Sequence, residues 1–352
     1  MRLLSLSLSL VLFRNFMKRQ LIHSFEEIIS LENLFSAWQE FYRGKSSKKD
    51  VQLFVANLID NIVALHEDLA NKTYRHGGYE QFGISDPKPR QIHKAQVRDR
   101  VLHHAIYRIL YPAFDTVFIA DSFSCRTNKG THKAMDRFQA LAYKVSKNHT
   151  RTCWVLKCDI KKFFASIDHE VLIGILKERI ADKNIIWLLQ NVVGSFSIGK
   201  PGTGLPLGNL TSQLFCNVYM NEFDQFVKQK LKAKHYVRYA DDFVFLSENQ
   251  EWLNGQIPRI QEFLERKLKL RLHPDKIYIK SFAAGVDFLG WIHFPKYRRL
   301  RTVTKKRMFK RIKESPKPET LQSYLGVLSH GDSYGLAEEV ISDYWLFSKK
   351  SF

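Results

Sequence analysis

The stretch His235-Tyr-Val-Arg-Tyr-Ala-Asp-Asp-Phe-Val-Phe-Leu246 decides how this chain is read. Apolar and β-favouring residues flank Asp241 and Asp242, which predicts strand, tight turn, strand, with both carboxylates held at the turn. Two acids side by side at a hairpin tip repel each other, and a divalent cation offsets that repulsion most simply. A third acid, Asp159, closes the apolar run Cys153-Trp-Val-Leu-Lys-Cys-Asp159, which reads as a buried strand. Carboxylates at the ends of neighbouring strands are suited to holding two magnesium ions for nucleotidyl transfer. A lone Asp-Asp pair is more often a solvated turn, so the weight rests on all three acids together.

Working outward, 352 residues with 45% hydrophobic content are enough for two or three subdomains around a sizeable core. The net charge of +20 and a pI of about 9.7 point to a polyanionic partner. Lys228, Lys230, Lys232 and Lys234 read as a solvated helix end. Lys305, Lys306, Arg307, Lys310, Arg311 and Lys313 are denser, recur at helical spacing, and read as a face for a nucleic-acid backbone. The four cysteines, Cys125, Cys153, Cys158 and Cys216, form no C-x-x-C pair. They are expected to be buried, reduced thiols in a cytoplasmic protein. Residues 1–16 imitate a signal-peptide core without a small-residue cleavage site, followed at once by Met17-Lys-Arg. They are too short to span a membrane, so the expectation is no membrane role and a product that starts at Met17.

Residues 24–72 read as helical, with Leu53, Leu58, Ile62, Leu65 and Leu69 recurring at helical spacing. Asp86-Pro-Lys-Pro-Arg90 reads as a loop or hairpin tip, and Val101–Leu110 as a helix with Pro112 near its end. Residues 131–147 are expected to be helical. Asp168 is expected to cap a helix from 169 to about 180. A long helix is predicted from after Gly208 to about Leu231, and an amphipathic one over 257–270. The chain after about 303 reads as basic and then helical.

The order of these motifs resembles a reverse transcriptase. The resemblance is carried from Tyr74 to Trp291 by Asp159-Ile-Lys-Lys-Phe-Phe164, Gly204-Leu-Pro-Leu-Gly208, Tyr239-Ala-Asp-Asp242 and Phe288-Leu-Gly-Trp291. It implies an α+β right-hand polymerase of fingers, palm (antiparallel sheet plus helices) and a short helical thumb. Residues 17–150 would form the N-terminal helices and fingers, 151–285 the palm, and 286–352 a primer-grip turn and basic thumb, with 1–16 an extension outside the fold. By the same resemblance Asp159, Asp241 and Asp242 are catalytic and hold two Mg2+ ions, helped by the Ile160 carbonyl. Lys88 and Arg90 grip the incoming triphosphate, and Arg suits bidentate phosphate contact. Phe164 occupies the space a ribose 2′-hydroxyl needs, with one of Phe163 and Phe164 expected in the core. Lys276 lies near the leaving pyrophosphate. Phe288, Leu289, Gly290 and Trp291 form the primer grip, with Lys305, Lys306, Arg307, Lys310 and Arg311 on the template–primer duplex.

One loop departs from the common pattern. Leu207-Gly-Asn-Leu-Thr-Ser-Gln213 has leucine where most reverse transcriptases carry glutamine, and Gln213 where they carry proline. That substitution looks like the reverse transcriptases of diversity-generating retroelements. The resemblance implies copying of a template-repeat RNA with errors at adenines, aided by a small basic accessory protein. Leu207, Gly208 and Gln213 would touch the incoming deoxynucleoside triphosphate. A glutamine at 207 could hydrogen-bond sugar or base and leucine cannot, so lowered fidelity is expected. The alternatives are another prokaryotic type, defence-type or group II intron-like, or a non-catalytic RNA-binding module of polymerase shape. About sixty residues after Trp291 are fewer than a group II enzyme's maturase and endonuclease regions need together.

Overall fold

The computed structural model describes residues 20–85 and 89–348. The extension 1–16, the start at Met17 and Lys88 therefore lie outside the described residues. The chain forms two compact units, each drawn from three stretches. These units do not coincide one for one with the linear segments expected from the sequence.

The first unit takes the chain up to Ile119 together with Ile160–Lys230 and Gln261–Arg271. The predicted helical stretch 24–72 is four helices: Phe25–Ile29, Leu31–Tyr42, Lys49–Ala56 and Leu58–Ala70. Ser24 and Ser30 cap the first two through their side chains. Ile62, Leu65 and Leu69 are fully buried, as their spacing predicts, whereas Leu53 is 67% exposed because it lies on a different, short helix. Strands β1 (Tyr79–Ile84) and β2 (Arg90–Ala95) pair antiparallel, and the expected loop or hairpin tip at 86–88 lies outside the described residues. The helix Val97–Asp115 runs on past Pro112. Asp168 caps His169–Lys177 by accepting from the Val171 amide at 3.0 Å, as expected. The long helix Leu210–Gln229 buries Phe215, Tyr219 and Phe223 completely or nearly so. Burying each such side chain contributes about 1.5–3 kcal/mol.

The second unit takes Ala120–Asp159, Leu231–Ile260 and Leu272 onward. Its centre is a four-stranded antiparallel sheet in the order β4-β5-β3-β6, where β3 is Trp154–Asp159, β4 Tyr236–Tyr239, β5 Asp242–Ser247 and β6 Tyr278–Ser281. β3 is apolar on both faces apart from Lys157 and the terminal Asp159, which suits an inner strand. The helix Thr131–Val145 covers the sheet, with Phe138, Val155, Val237, Val244 and Leu246 in one apolar cluster. A second, three-stranded sheet follows: β7 (Val286–Phe288), β8 (Trp291–His293) and β9 (Arg298–Leu300). Three helices, Thr302–Glu314, Pro318–Leu328 and Tyr334–Ser348, pack around Met308, Ile312, Leu328 and Val340.

The helix Gln250–Leu268 is shared by both units and starts seven residues before the sequence reading placed it. Asn249 caps it through a 2.8 Å bond from the Trp252 amide, and Pro258 is accommodated in its interior at the loss of one ladder bond. Of the cysteines, all of them free thiols, Cys153, Cys158 and Cys216 are buried as expected and Cys125 is exposed. No helix among the described residues is long and apolar enough to cross a membrane.

The Trp291 indole packs on the backbone at Gly331, where an added Cβ would fall 2.0 Å from the ring. Gly331→Ala is therefore expected to cost about 1–3 kcal/mol by overpacking. Gly326, inside the helix Pro318–Leu328 with open space around it, should respond in the opposite direction and gain up to about 1 kcal/mol as Ala. Urea unfolding of the two variants measures both signs.

Candidate active site

The site begins with a two-residue turn. β4 ends at Tyr239 and β5 begins at Asp242, and these two residues pair across the ladder. Ala240 and Asp241 close the turn, with Ala240 at a φ of 55°, a left-handed conformation costly for any residue with a Cβ. Arg238, fully buried, holds the strained residue. It donates from Nη1 to the Ala240 carbonyl at 3.0 Å and from Nη2 to Ser122 Oγ at 2.9 Å.

The antiparallel register sets Asp159, the last residue of β3, directly opposite Asp242, the first residue of β5. Such partners sit about 4.5–5.5 Å apart at Cα. Two amines moderate the resulting charge. Lys276 Nζ lies 2.9 Å from Asp159 Oδ1, delivered there by the 3₁₀ turn Pro274–Lys276, itself docked by a bond from the His273 amide to the Asp159 carbonyl. Lys157 Nζ lies 3.3 Å from Asp242 Oδ2. Lys157 and Asp159 are two residues apart on one strand and so share a face. Burial, with Asp159 and Asp241 nearby, still pushes the Asp242 carboxyl up to about 6, against the pull of Lys157. The other oxygen of Asp242, Oδ1, is buried without a hydrogen-bond partner.

Among the described residues no three His, Cys, Asp or Glu side chains are grouped tightly enough to close on one ion. The structure brings Asp159 and Asp242 together and leaves Asp241 one residue along, in the turn. The donors nevertheless suit a hard divalent cation: paired carboxylates, one with an unpartnered buried oxygen, in a site that resists holding its own negative charge.

Apart from Lys276, the described residues expected to touch the nucleotide belong to the first unit. Phe163 is buried and Phe164 half-buried, the division expected for the pair. Arg90 is exposed at the start of β2. The Leu207 carbonyl accepts from the His93 amide at 3.0 Å, and Asn209 Nδ2 donates to the His93 carbonyl at 2.8 Å. The loop is thus stitched to β2 from both sides. Gly208, at a φ of 106°, lets them approach, since a Cβ there would meet Ile92 at 2.9 Å. Gln213 is half-buried in the first turn of the following helix, and Ile160 is buried directly after Asp159.

The β7–β8 hairpin turns through Leu289 and Gly290, both at positive φ, as a two-residue hairpin of right-handed twist requires. Phe288 and Trp291 are 0% and 4% exposed. Their side chains are core, because alternation along β7 and β8 points them inward, which leaves the half-buried Leu289 and Gly290 as the accessible tip of the hairpin. In the basic helix, Lys305 pairs with Glu339 at 3.1 Å and Arg307 is half-buried. Lys306, Lys310 and Arg311 are exposed, with Lys310 also 3.7 Å from Glu314.

Sequence reasoning missed Lys157 and Arg238 beside the aspartates, and Asn209 in the loop of the first unit. The signal for Lys157 and Arg238 was available: a cationic side chain in an otherwise apolar strand must find a partner.

The chain belongs to the reverse transcriptase family: residues 84–293 match the family described as reverse transcriptase (RNA-dependent DNA polymerase). Similar proteins include protein YkfC of Escherichia coli, 27% identical over 58% of this chain and 63% of that one. The group II intron-encoded protein LtrA of Lactococcus lactis subsp. cremoris is 23% identical over 55% of this chain and 42% of that one. The chain thus spans less than two thirds of the length of these relatives. Among solved structures, telomerase from Candida albicans, in complex with a fragment of telomeric RNA, aligns with a TM-score of 0.50 and 12% identity. It covers 78% of this chain and 55% of that one. The fold is that of a right-hand polymerase, mixed helices with antiparallel sheets.

Asp242 makes a stability prediction with a definite sign. Its proton is held more tightly in the folded state, so folding is penalised as pH rises from about 4 to 6 and the penalty is complete above that window. Asp242→Asn removes it. The variant should melt higher than wild type at pH 8 and show little or no gain at pH 4, by differential scanning calorimetry without divalent ions.

Proposed function

We propose that this chain is an RNA-directed DNA polymerase that extends a primer along template RNA with deoxynucleoside triphosphates. The observation that carries the reading is the register-enforced opposition of Asp159 and Asp242, with Asp241 in the adjoining turn, in a chain of this family. The primer 3′-hydroxyl attacks the α-phosphorus of the triphosphate. Asp159, Asp241 and Asp242, with the Ile160 carbonyl, would hold Mg2+, which when bound supplies the charge that acidifies the hydroxyl and neutralises the triphosphate. Lys276 guards Asp159 and is close enough to meet a departing pyrophosphate. Lys88 and Arg90 bind the triphosphate, and Phe164 selects deoxyribose. Lys306, Lys310 and Arg311 take the duplex backbone, with Lys305 and Arg307 supporting them. The expected setting is the cytoplasm.

The Leu207–Gln213 loop supports the finer reading, a diversity-generating retroelement enzyme that copies a template-repeat RNA with errors at adenines and works with a small basic accessory protein. The second reading, an enzyme of group II intron type, is favoured by the similarity to intron-encoded proteins. Flanking DNA with two similar repeats differing at adenines supports the first reading, and intron RNA domains support the second.

Primer extension on an RNA template tests the activity. Asp241→Ala is expected to lower incorporation by about three orders of magnitude or more while the protein keeps its circular dichroism spectrum. Undiminished synthesis would remove the aspartates from the mechanism. Leu207→Gln is expected to reduce misincorporation opposite adenine several-fold, the worth of one polar contact of about 1 kcal/mol. Unchanged error rates would show that Leu207 does not set fidelity.

A further inference from the structure

Asp287 has no role in the family motifs above, yet three side chains converge on it. Its backbone carbonyl accepts from Lys157 Nζ at 2.7 Å and from Tyr278 Oη at 3.3 Å. Lys157 and Tyr278 are direct cross-strand partners on β3 and β6, so both donors rise from one face of the sheet that ends in the aspartates. Lys157 also contacts Asp242. The Asp287 carboxylate takes Nε of Arg301 at 2.6 Å and its Nη2 as well. Arg301 is the cap residue of the basic helix Thr302–Glu314, and its amide reaches the Gly290 carbonyl at 3.4 Å. β7 alternates Val286 in, Asp287 out, Phe288 in, so Asp287 is the one residue of that strand facing this junction.

We propose that Asp287 is a positioning residue that joins the hairpin tip to the duplex-binding helix and so sets how firmly the primer–template is held. Its carbonyl registers the Leu289–Gly290 tip against the catalytic sheet through Lys157 and Tyr278. Its carboxylate fixes the start of the duplex-binding helix through Arg301. A single residue thereby couples the hairpin tip to where the duplex backbone is held. It acts through the hairpin and the helix and touches neither metal nor nucleotide. The inference rests on the polymerase reading of the site.

The two side chains allow a charge-exchange test, since the ion pair is partly exposed. Asp287→Arg and Arg301→Asp are each expected to weaken primer–template binding about five- to tenfold, measured by fluorescence anisotropy on an RNA–DNA duplex, and to shorten products per binding event. The first-order rate of a single incorporation from the preformed complex should change less than about twofold. The double exchange Asp287→Arg with Arg301→Asp should recover most of the affinity and product length. Asp287→Asn, the smallest change, should fall between wild type and the single reversals, and it carries the test if a reversal fails to fold. The proposal is overturned if the single variants bind and extend like wild type, if the incorporation rate falls while affinity holds, or if the double exchange is as impaired as either single one. Absence of synthesis by the wild-type chain, with duplex binding intact, would instead strike the polymerase reading.

Discussion

Two carboxylates forced to face each other across an antiparallel ladder are the constraint on which the rest of this site depends. The register of β3 with β5 leaves no freedom: once Lys157 faces Val244 and Leu156 faces Phe245, Asp159 must face Asp242. Those inner apolar residues fix the register, because a slip of one would turn them out of the core. Hydrophobic packing thus supplies the free energy that holds two like charges together. The protein then tempers the repulsion with two lysines on different partners, and leaves one carboxylate oxygen with nothing to bond.

Around that pair the supporting bonds run to backbone carbonyls as often as to side chains. Arg238 grips the carbonyl of the strained Ala240 and Lys157 the carbonyl of Asp287. A carbonyl grip fixes where a turn or strand lies while leaving its outward side chains available. In the first unit the same device makes the Leu207–Asn209 loop and β2 one piece, so groups expected to meet base and triphosphate are held by shared bonds.

Much of this was legible in the sequence. The Asp241/Asp242 hairpin, the Asp159 strand, the Asp168 cap and the helix over 210–229 follow from alternation, capping chemistry and helical spacing. What was not legible was partnership at long range. Nothing local to Lys157 says that its amine ends on residue 287, and nothing near Leu53 says that its helix is separate from the one that buries Leu65. Phe288 and Trp291 show a related gap: a motif identifies a turn, but burial decides that its aromatic residues serve the core and only its tip faces outward. Asn249 capping a helix earlier than its apolar stripe begins was readable in principle and was overridden by the weaker stripe signal.

The threading of the chain carries a consequence of its own. It passes from one compact unit to the other after Ile119, Asp159, Lys230, Ile260 and Arg271. Neither unit can be excised as a continuous fragment, and neither can finish assembling on a ribosome before much of the other has emerged. Exchange of one continuous stretch with a relative would replace part of a unit and never a whole one. Replacing a whole unit would need several crossovers together, whereas a substitution in a loop or tip, the Leu207 loop among them, needs none.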